Sequence, residues 1–134
     1  MIASADPSDE ASLRAFREFG AEAVTDNRSV VEKSDVVFVS VKPNVVKSAL
    51  NDVQSFSSGK LFVSIAMGIT LSEIEQILPN DSRVIRVMPN TPAIVQAAAS
   101  VFVRGTKATN DDAMLIQSLL KSIGTCDEVS EYQM

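Results

Sequence analysis

Three short stretches join residue types that could do chemistry to positions at the ends of apolar runs. Val41-Lys42-Pro43 puts a cation directly before a proline that can open a helix. A lysine beside a helix start can meet a phosphate or a carboxylate. Ser64 to Thr70, read SIAMGIT, follows a buried-looking run with the small residues Ala66 and Gly68 around Met67. Small residues there let a flat ligand or another backbone approach closely. Met88-Pro89-Asn90-Thr91-Pro92 fixes an amide and a hydroxyl between two prolines, a rigid polar turn suited to positioning something. Each stretch also has a plainer reading. The lysine can be an ordinary exposed residue, SIAMGIT a tight strand-to-helix turn, and the double-proline segment a capped turn before a short helix.

Other chemistries are excluded by what the chain lacks. It has no histidine, so Ser-His-Asp and Cys-His catalysis and any His-ligated metal are ruled out. Cys126 is the one cysteine, which excludes an intrachain disulfide and any CxxC motif. It reads as packing rather than as a nucleophile, reduced in a cytoplasmic protein. No metal site is expected, and no catalytic residue stands out. Paired carboxylates for hydrolysis are not evident, and Asp9, Glu10, Glu18 and Glu22 read as a solvated face.

The 134 residues amount to one ordinary domain or part of a larger one. With 46% hydrophobic and 22% charged residues the composition is globular. A net charge of −5 and no basic tail argue against nucleic acid as a partner. No apolar run approaches the ~18–20 residues of a membrane span. The opening MIASADPSDEA shows neither a secretory signal nor the acid-poor pattern of a transit peptide.

The elements that must position the three stretches follow from periodicity. Short Val/Ile/Phe runs at 36–41, 61–65, 84–88 and 101–103 read as strands, two of them covered on both faces as in a parallel sheet. Residues 21–25 and 125–129 read as weaker strands. Asp6-Pro7-Ser8-Asp9 offers an N-cap and a first-turn proline, followed by Leu13, Phe16 and Phe19 on one side and a stop at Gly20. A short helix is expected at about 28–33. Pro43 opens a helix with Val46, Ala49, Leu50 and Val53 on one stripe. Thr70 and Glu73 form a capping box before Leu71, Ile74, Ile77 and Leu78. Asn110 caps a last helix carrying Ile116, Leu119, Leu120 and Ile123, which stops at Gly124. This alternation predicts a doubly wound, Rossmann-like, mostly parallel α/β sheet, with ligands at the carboxyl ends of its strands.

One feature of such folds is missing. The glycines are Gly20, Gly59, Gly68, Gly105 and Gly124, so no GxGxxG turn exists in the chain. Met1 to Ser4 reads as the end of a strand that should already have a neighbour. The expectation is a partial NAD(P)-binding domain over 1–134, truncated at its N-terminus, with a central strand edge left unpaired.

SDVVFVSVKP (34–43), LFVSIAMGIT (61–70) and RVIRVMPNTPAIV (83–95) together resemble the N-terminal domain of the pyrroline-5-carboxylate reductases. The MPNTP segment is the most specific, while VKP is shared more widely among related dehydrogenases. The resemblance runs from about Ala3 to Glu131. It implies NAD(P)H-dependent reduction of 1-pyrroline-5-carboxylate to proline, with NADP(H) or NAD(H) as cofactor. It implies that Ser4 to Asp6 lie by the adenosine ribose and its 2′-phosphate, and that Asn27 contacts the adenosine side. Val41, Lys42 and Pro43 would line the cofactor along its ribose and phosphates. Ala66, Met67 and Gly68 would flank the nicotinamide ribose, and Asn90 with its prolines would shape the wall near the nicotinamide. Ala5 stands where some relatives carry a hydroxyl, which leaves NADP against NAD open. The family's helical C-terminal domain, which dimerises and supplies the imino-acid site, is absent from these residues. Homo-oligomers would form only through it, and the small-molecule substrate would bind only in the complete enzyme. Two alternatives stand beside this reading: a short non-catalytic nucleotide-binding or interaction module, and another NADP-dependent reductase of the same superfamily.

Overall fold

The computed structural model describes residues 1–134. Seven strands alternate with five helices. They are β1 (Ile2–Ser4), α1 (Glu10–Glu18), β2 (Glu22–Val24), α2 (Asn27–Glu32), β3 (Val36–Val39), α3 (Pro43–Val53), β4 (Leu61–Ser64), α4 (Leu71–Ile77), β5 (Arg83–Met88), β6 (Ala98–Arg104), α5 (Asn110–Lys121) and β7 (Gly124–Glu128). Single 3-10 turns lie at Gln54–Phe56, Thr91–Val95 and Glu131–Gln133.

The strands form two sheets. β1 and β2 pair in parallel as one ribbon, and the other five run in the order β3-β4-β5-β6-β7. Pairing is parallel throughout except between β5 and β6, which are antiparallel. β1 and β3 each present an unpaired edge, and no hydrogen bond joins them. The expected open central edge is therefore present, and α2, which packs on β1 and α3, is the bridge between the two sheets.

Side chains alternate across the large sheet and divide the core in two. Phe62, Val84 and Val103 pack against Val46, Leu50 and Val53 of α3 and Leu71 and Ile74 of α4. Leu61, Val63, Ile85, Val87 and Phe102 face Ala113, Ile116 and Leu120 of α5. Helices thus cover both faces, the doubly wound Rossmann-like arrangement that the sequence predicts. β4 is buried along its whole length, as its apolar run requires between two helical layers. Cys126 is buried in the α5-side core, consistent with a packing role.

Several local expectations need correcting. The first helix starts at Glu10, with Asp9 as its N-cap accepting from the Ser12 amide. Pro7 lies before it in a turn, because the Asp6 carboxylate takes the Ser8 amide and hydroxyl and closes an Asx turn there. Phe19 is 80% exposed rather than on the buried stripe. β3 stops at Val39, where its ladder with β4 ends opposite Ser64, and Lys42 adopts φ −58°, ψ 145° ahead of Pro43, the extended conformation that a following proline imposes. The last helix is capped by Thr109, not Asn110, with Thr109 and Asp112 as the reciprocal pair. Asn110 instead accepts from Arg104 Nη1 at 2.6 Å. The Pro43 start and the Thr70/Glu73 capping box are where the sequence puts them.

Asp112 ties α5 to the sheet. Its Oδ2 accepts from Arg83 Nε at 2.8 Å and from the Thr109 amide at 2.9 Å, and its side chain is 10% exposed. Burial works against its charge, but the Thr109 amide and hydroxyl and the Arg83 guanidinium outweigh it and hold the carboxyl below the usual range. A carboxylate depressed in the folded state adds stability above its unfolded pKa, and that stability is lost as pH falls through the folded value. Asp112→Asn should therefore flatten the loss of stability below about pH 4. Asp112→Ala should cost about 2–4 kcal/mol at neutral pH, because Arg83 loses its partner. Urea denaturation at pH 7 and pH 3 reads both. An unchanged acid limb in the Asn variant would remove Asp112 from the account.

Candidate functional site at the carboxyl edge of the sheet

β1 to β5 all run the same way within their sheets, and every candidate site residue lies at or just beyond one of their carboxyl ends or at the helix that follows. Val39, Ser64 and Arg86 stand side by side in register across β3, β4 and β5. The segments 40–43, 65–70 and 89–92 therefore leave the large sheet as neighbours. The Ile65 amide donates to Val39 O at 3.2 Å, which holds the second segment against the first.

Lys42 is exposed, and its side chain makes no hydrogen bond or ion pair in the protein. Its carbonyl accepts from the Val45 amide at 2.8 Å, so its backbone is fixed as the N-cap of α3 while its ammonium is free. Val41 is 36% exposed beside it. In the next segment the Ala66 amide donates to Ser64 Oγ at 3.3 Å, and Ala66 is buried while Met67 is 78% exposed. Gly68 has φ +76°, and nothing lies within 4 Å of where a Cβ would stand. The loop thus turns on a left-handed glycine and leaves open space in front of it. Asn90 accepts through Oδ1 from the Ala99 amide at 3.0 Å, which anchors the double-proline turn to the start of β6.

Ser4 and Asn27 meet on the smaller sheet, where Ser4 Oγ donates to Asn27 Oδ1 at 2.5 Å. Asp6, exposed, follows in its Asx turn with Ser8. The hydrogen bonds to Ser8, from the side chain first and the amide second, hold its carboxyl below the usual range. The structure therefore groups the candidates in two sets. Ser4, Asp6 and Asn27 gather at the carboxyl end of the small sheet, and Val41, Lys42, Pro43, Ala66, Met67, Gly68 and Asn90 at that of the large one. No hydrogen bond connects the sets.

One residue pair was missed from the sequence. Arg86 is 8% exposed in β5, and its Nη1 meets Glu131 Oε1 at 3.4 Å. That same oxygen accepts the Leu71 amide at 2.7 Å. One carboxylate thereby joins the exit of segment 65–70, β5 and the 3-10 turn near the C-terminus. An arginine at a core-facing position of RVIRV was the available signal, since a buried guanidinium demands an anion. Glu131 carries no local signal at all, being 45 residues away.

As a donor set, these residues suit the two ends of a dinucleotide. Hydroxyl, amide and carboxylate groups on the small sheet match ribose hydroxyls. The free lysine matches a phosphate, and the Ala66-Met67-Gly68 turn gives a flat ring close access. Its middle is not served: no glycine-rich turn cradles a pyrophosphate. A polar hollow lined by Glu75, Ser82, Thr106 and Lys107 lies by the amino end of β5, at the opposite edge, and takes no part.

Residues 1–68, half of the chain, match the family described as NADP oxidoreductase, coenzyme F420-dependent. Pyrroline-5-carboxylate reductase 3 of Mus musculus is 41% identical over 132 residues, 98% of this chain and 47% of that protein. Pyrroline-5-carboxylate reductase of Arabidopsis thaliana is 44% identical over 110 residues, 81% of this chain and 40% of that protein. Among solved structures, a pyrroline-5-carboxylate reductase from Coxiella burnetii aligns with TM-score 0.88 and 28% identity over 97% of this chain and 48% of that one. The chain spans about half the length of the curated relatives it matches.

Proposed function

Because the chain belongs to the NADP oxidoreductase, coenzyme F420-dependent family, we propose that it forms the dinucleotide-binding part of a pyrroline-5-carboxylate reductase. That enzyme would reduce 1-pyrroline-5-carboxylate to proline with NADH or NADPH. The observation that carries the reading is the joint exit of segments 40–43, 65–70 and 89–92 from one edge of a parallel sheet, in a chain 35–44% identical to such reductases over most of its length. The family description names coenzyme F420, but the relatives aligned along the whole chain favour the pyrroline substrate.

When bound, the dinucleotide supplies the hydride that adds to the carbon of the ring C=N bond. This chain's residues position it. Ser4 and Asn27 hold the adenosine ribose, and Lys42 neutralises phosphate charge at the start of α3. Ala66, Met67 and Gly68 flank the nicotinamide ribose, and Asn90 keeps the double-proline wall in place. Met67 and Met88, exposed at this edge, would exclude water once covered. Polypeptide outside these 134 residues would bring the pyrophosphate turn, the helical substrate side and any homo-oligomer contact. The cytoplasm suits a chain whose one cysteine is buried and unpaired.

The test is made on the natural polypeptide that carries these residues. It should oxidise NADH or NADPH when given 1-pyrroline-5-carboxylate and release proline. Failure to form proline with either dinucleotide overturns the reading. Lys42→Ala in that polypeptide should raise the KM for dinucleotide ~5–30-fold with kcat little changed, as expected for a lost ground-state contact to a charged group. A KM within error of the parent would take Lys42 out of the site.

A further inference from the structure

Resting on the dinucleotide reading, we propose that Glu131 is a positioning residue for the reaction. From the far end of the chain it sets the path of the Ala66-Met67-Gly68 turn, and through that turn the nicotinamide that the turn would flank.

That turn is held only at its two ends. At its entry the Ile65 amide donates to Val39 O at 3.2 Å and the Ala66 amide to Ser64 Oγ at 3.3 Å. The backbone of Met67, Gly68 and Ile69 then makes no hydrogen bond to the rest of the protein, and Gly68 at φ +76° has open space in front of it. At its exit Thr70 and Glu73 satisfy each other as a capping box. The Leu71 amide, the first of α4, is left over, as the early amides of any helix are. Glu131 Oε1 takes it at 2.7 Å from 60 residues away. Three residues without contacts of their own follow the path that their anchors allow, so the exit anchor decides where Met67 and Gly68 stand.

Arg86 fixes that anchor in turn. Its side chain is 10% exposed, and Glu131 is the one acceptor it meets in the protein. Arg86 stands in register with Ser64 across β4 and β5, so both side chains leave the same face of the sheet. The guanidinium thus rises beside the hydroxyl that holds the entry, and it places the carboxylate that holds the exit. The backbone of Glu131 is fixed as well. The Val129 amide donates to Phe102 O at 2.9 Å, Ser130 and Gln133 form a reciprocal pair, and Met134 packs on the core beneath α3 and α4. The segment after β7 therefore delivers the group that shapes the turn after β4. This arrangement depends on reach and not on charge. Both contacts use Oε1, and Oε2 accepts no hydrogen bond from the protein. A glutamine keeps both contacts and loses the charge, whereas an aspartate keeps the charge and falls one methylene short of both.

The experiment makes Glu131→Asp and Glu131→Gln in the natural polypeptide that carries these residues. The first readout is amide hydrogen exchange over residues 65–71 with no dinucleotide present. Glu131→Asp should speed exchange at Leu71 by ~10-fold or more, and Glu131→Gln should stay within ~3-fold of the parent. The second readout is the split between kcat and KM with 1-pyrroline-5-carboxylate as substrate. Glu131→Asp should lower kcat ~10-fold or more, since a misplacement of ~1 Å at the reacting centre can cost ~100-fold. The KM for dinucleotide should stay within ~3-fold, because the adenosine end is untouched. Glu131→Gln should keep both values near those of the parent. An ion pair that served stability alone would lower the melting temperature and leave the split where it was. Parental kcat in Glu131→Asp overturns the inference, whatever its exchange, and leaves the reductase reading standing. So does a loss in Glu131→Gln as large as that in Glu131→Asp, which would make charge the cause. A parent that forms no proline sinks the reductase reading, and the inference falls with it.

Discussion

Gly124→Ala is expected to lower the melting temperature by ~10 °C or more, the largest effect of any single methyl group added to this chain. Gly124 opens β7 with φ +151°, a conformation that is essentially glycine's alone. The strain is the smaller part. Gly124 sits directly opposite Ala98 in the β6–β7 ladder, and a Cβ would overlap the carbonyl oxygen and amide nitrogen of Ala98. Those are backbone atoms of a buried residue whose amide also donates to Ile123 O at 2.8 Å. They cannot turn aside as a flexible side chain could. The two strands must part at the point where α5 returns to the sheet. The cost is at least ~3 kcal/mol, against a total stability of ~5–15 kcal/mol for an ordinary domain. Gly20→Ala is the control. Gly20 also has positive φ, +84°, but nothing lies within 4 Å of its Cβ position, so only ~1 kcal/mol of backbone strain is added. Thermal melts followed by circular dichroism compare the two. Equal shifts in both variants would mean that the Ala98 contact relaxes freely and the argument fails.

The contrast also shows what was legible in the sequence. Gly20 and Gly124 both read as helix stops, and Gly20 is one. Gly124 is the first residue of a strand, and its requirement comes from Ala98, which is distant in sequence and close only after folding. The Thr70/Glu73 box and Pro43 were readable because their partners lie within three residues. Asp9 and Thr109 displaced the expected caps for the same local reason in reverse. Several side chains compete to cap one helix start, and the choice is settled by which one aims at a free amide. The alternation of apolar runs predicted both the layers and the carboxyl edge that gathers the candidate residues. It could not predict the antiparallel turn of β6 against β5, because a buried strand reads the same in either direction. Nor could it place Glu131 against Arg86, because nothing local in either residue names the other.

The purified 134-residue chain by itself should show no measurable reduction of 1-pyrroline-5-carboxylate with either dinucleotide. The reason is the division of its site. Ser4 and Asp6, with Asn27 hydrogen-bonded to Ser4, gather at the end of the β1–β2 ribbon, while Val41 to Pro43, Ala66 to Gly68 and Asn90 gather at the end of the five-stranded sheet. A dinucleotide would have to hold one end on each. β1 and β3 share no hydrogen bonds, so the span between the two sets depends on how α2 packs on β1 and α3. Catalysis by positioning is intolerant of that. A displacement of ~1 Å at the reacting centre can cost ~100-fold in rate, and a two-stranded ribbon is at best marginally stable without further support. The pyrophosphate, which joins the two ends, meets no glycine-rich backbone among these residues. The exposed Met67, Met88, Ile94 and Val95 leave the edge proposed for the nicotinamide open to water, where electrostatic stabilisation is weakest. Steady oxidation of NADH or NADPH coupled to proline formation by this chain alone would show that the ribbon and the sheet already form one rigid site. The division between them would then have no functional weight.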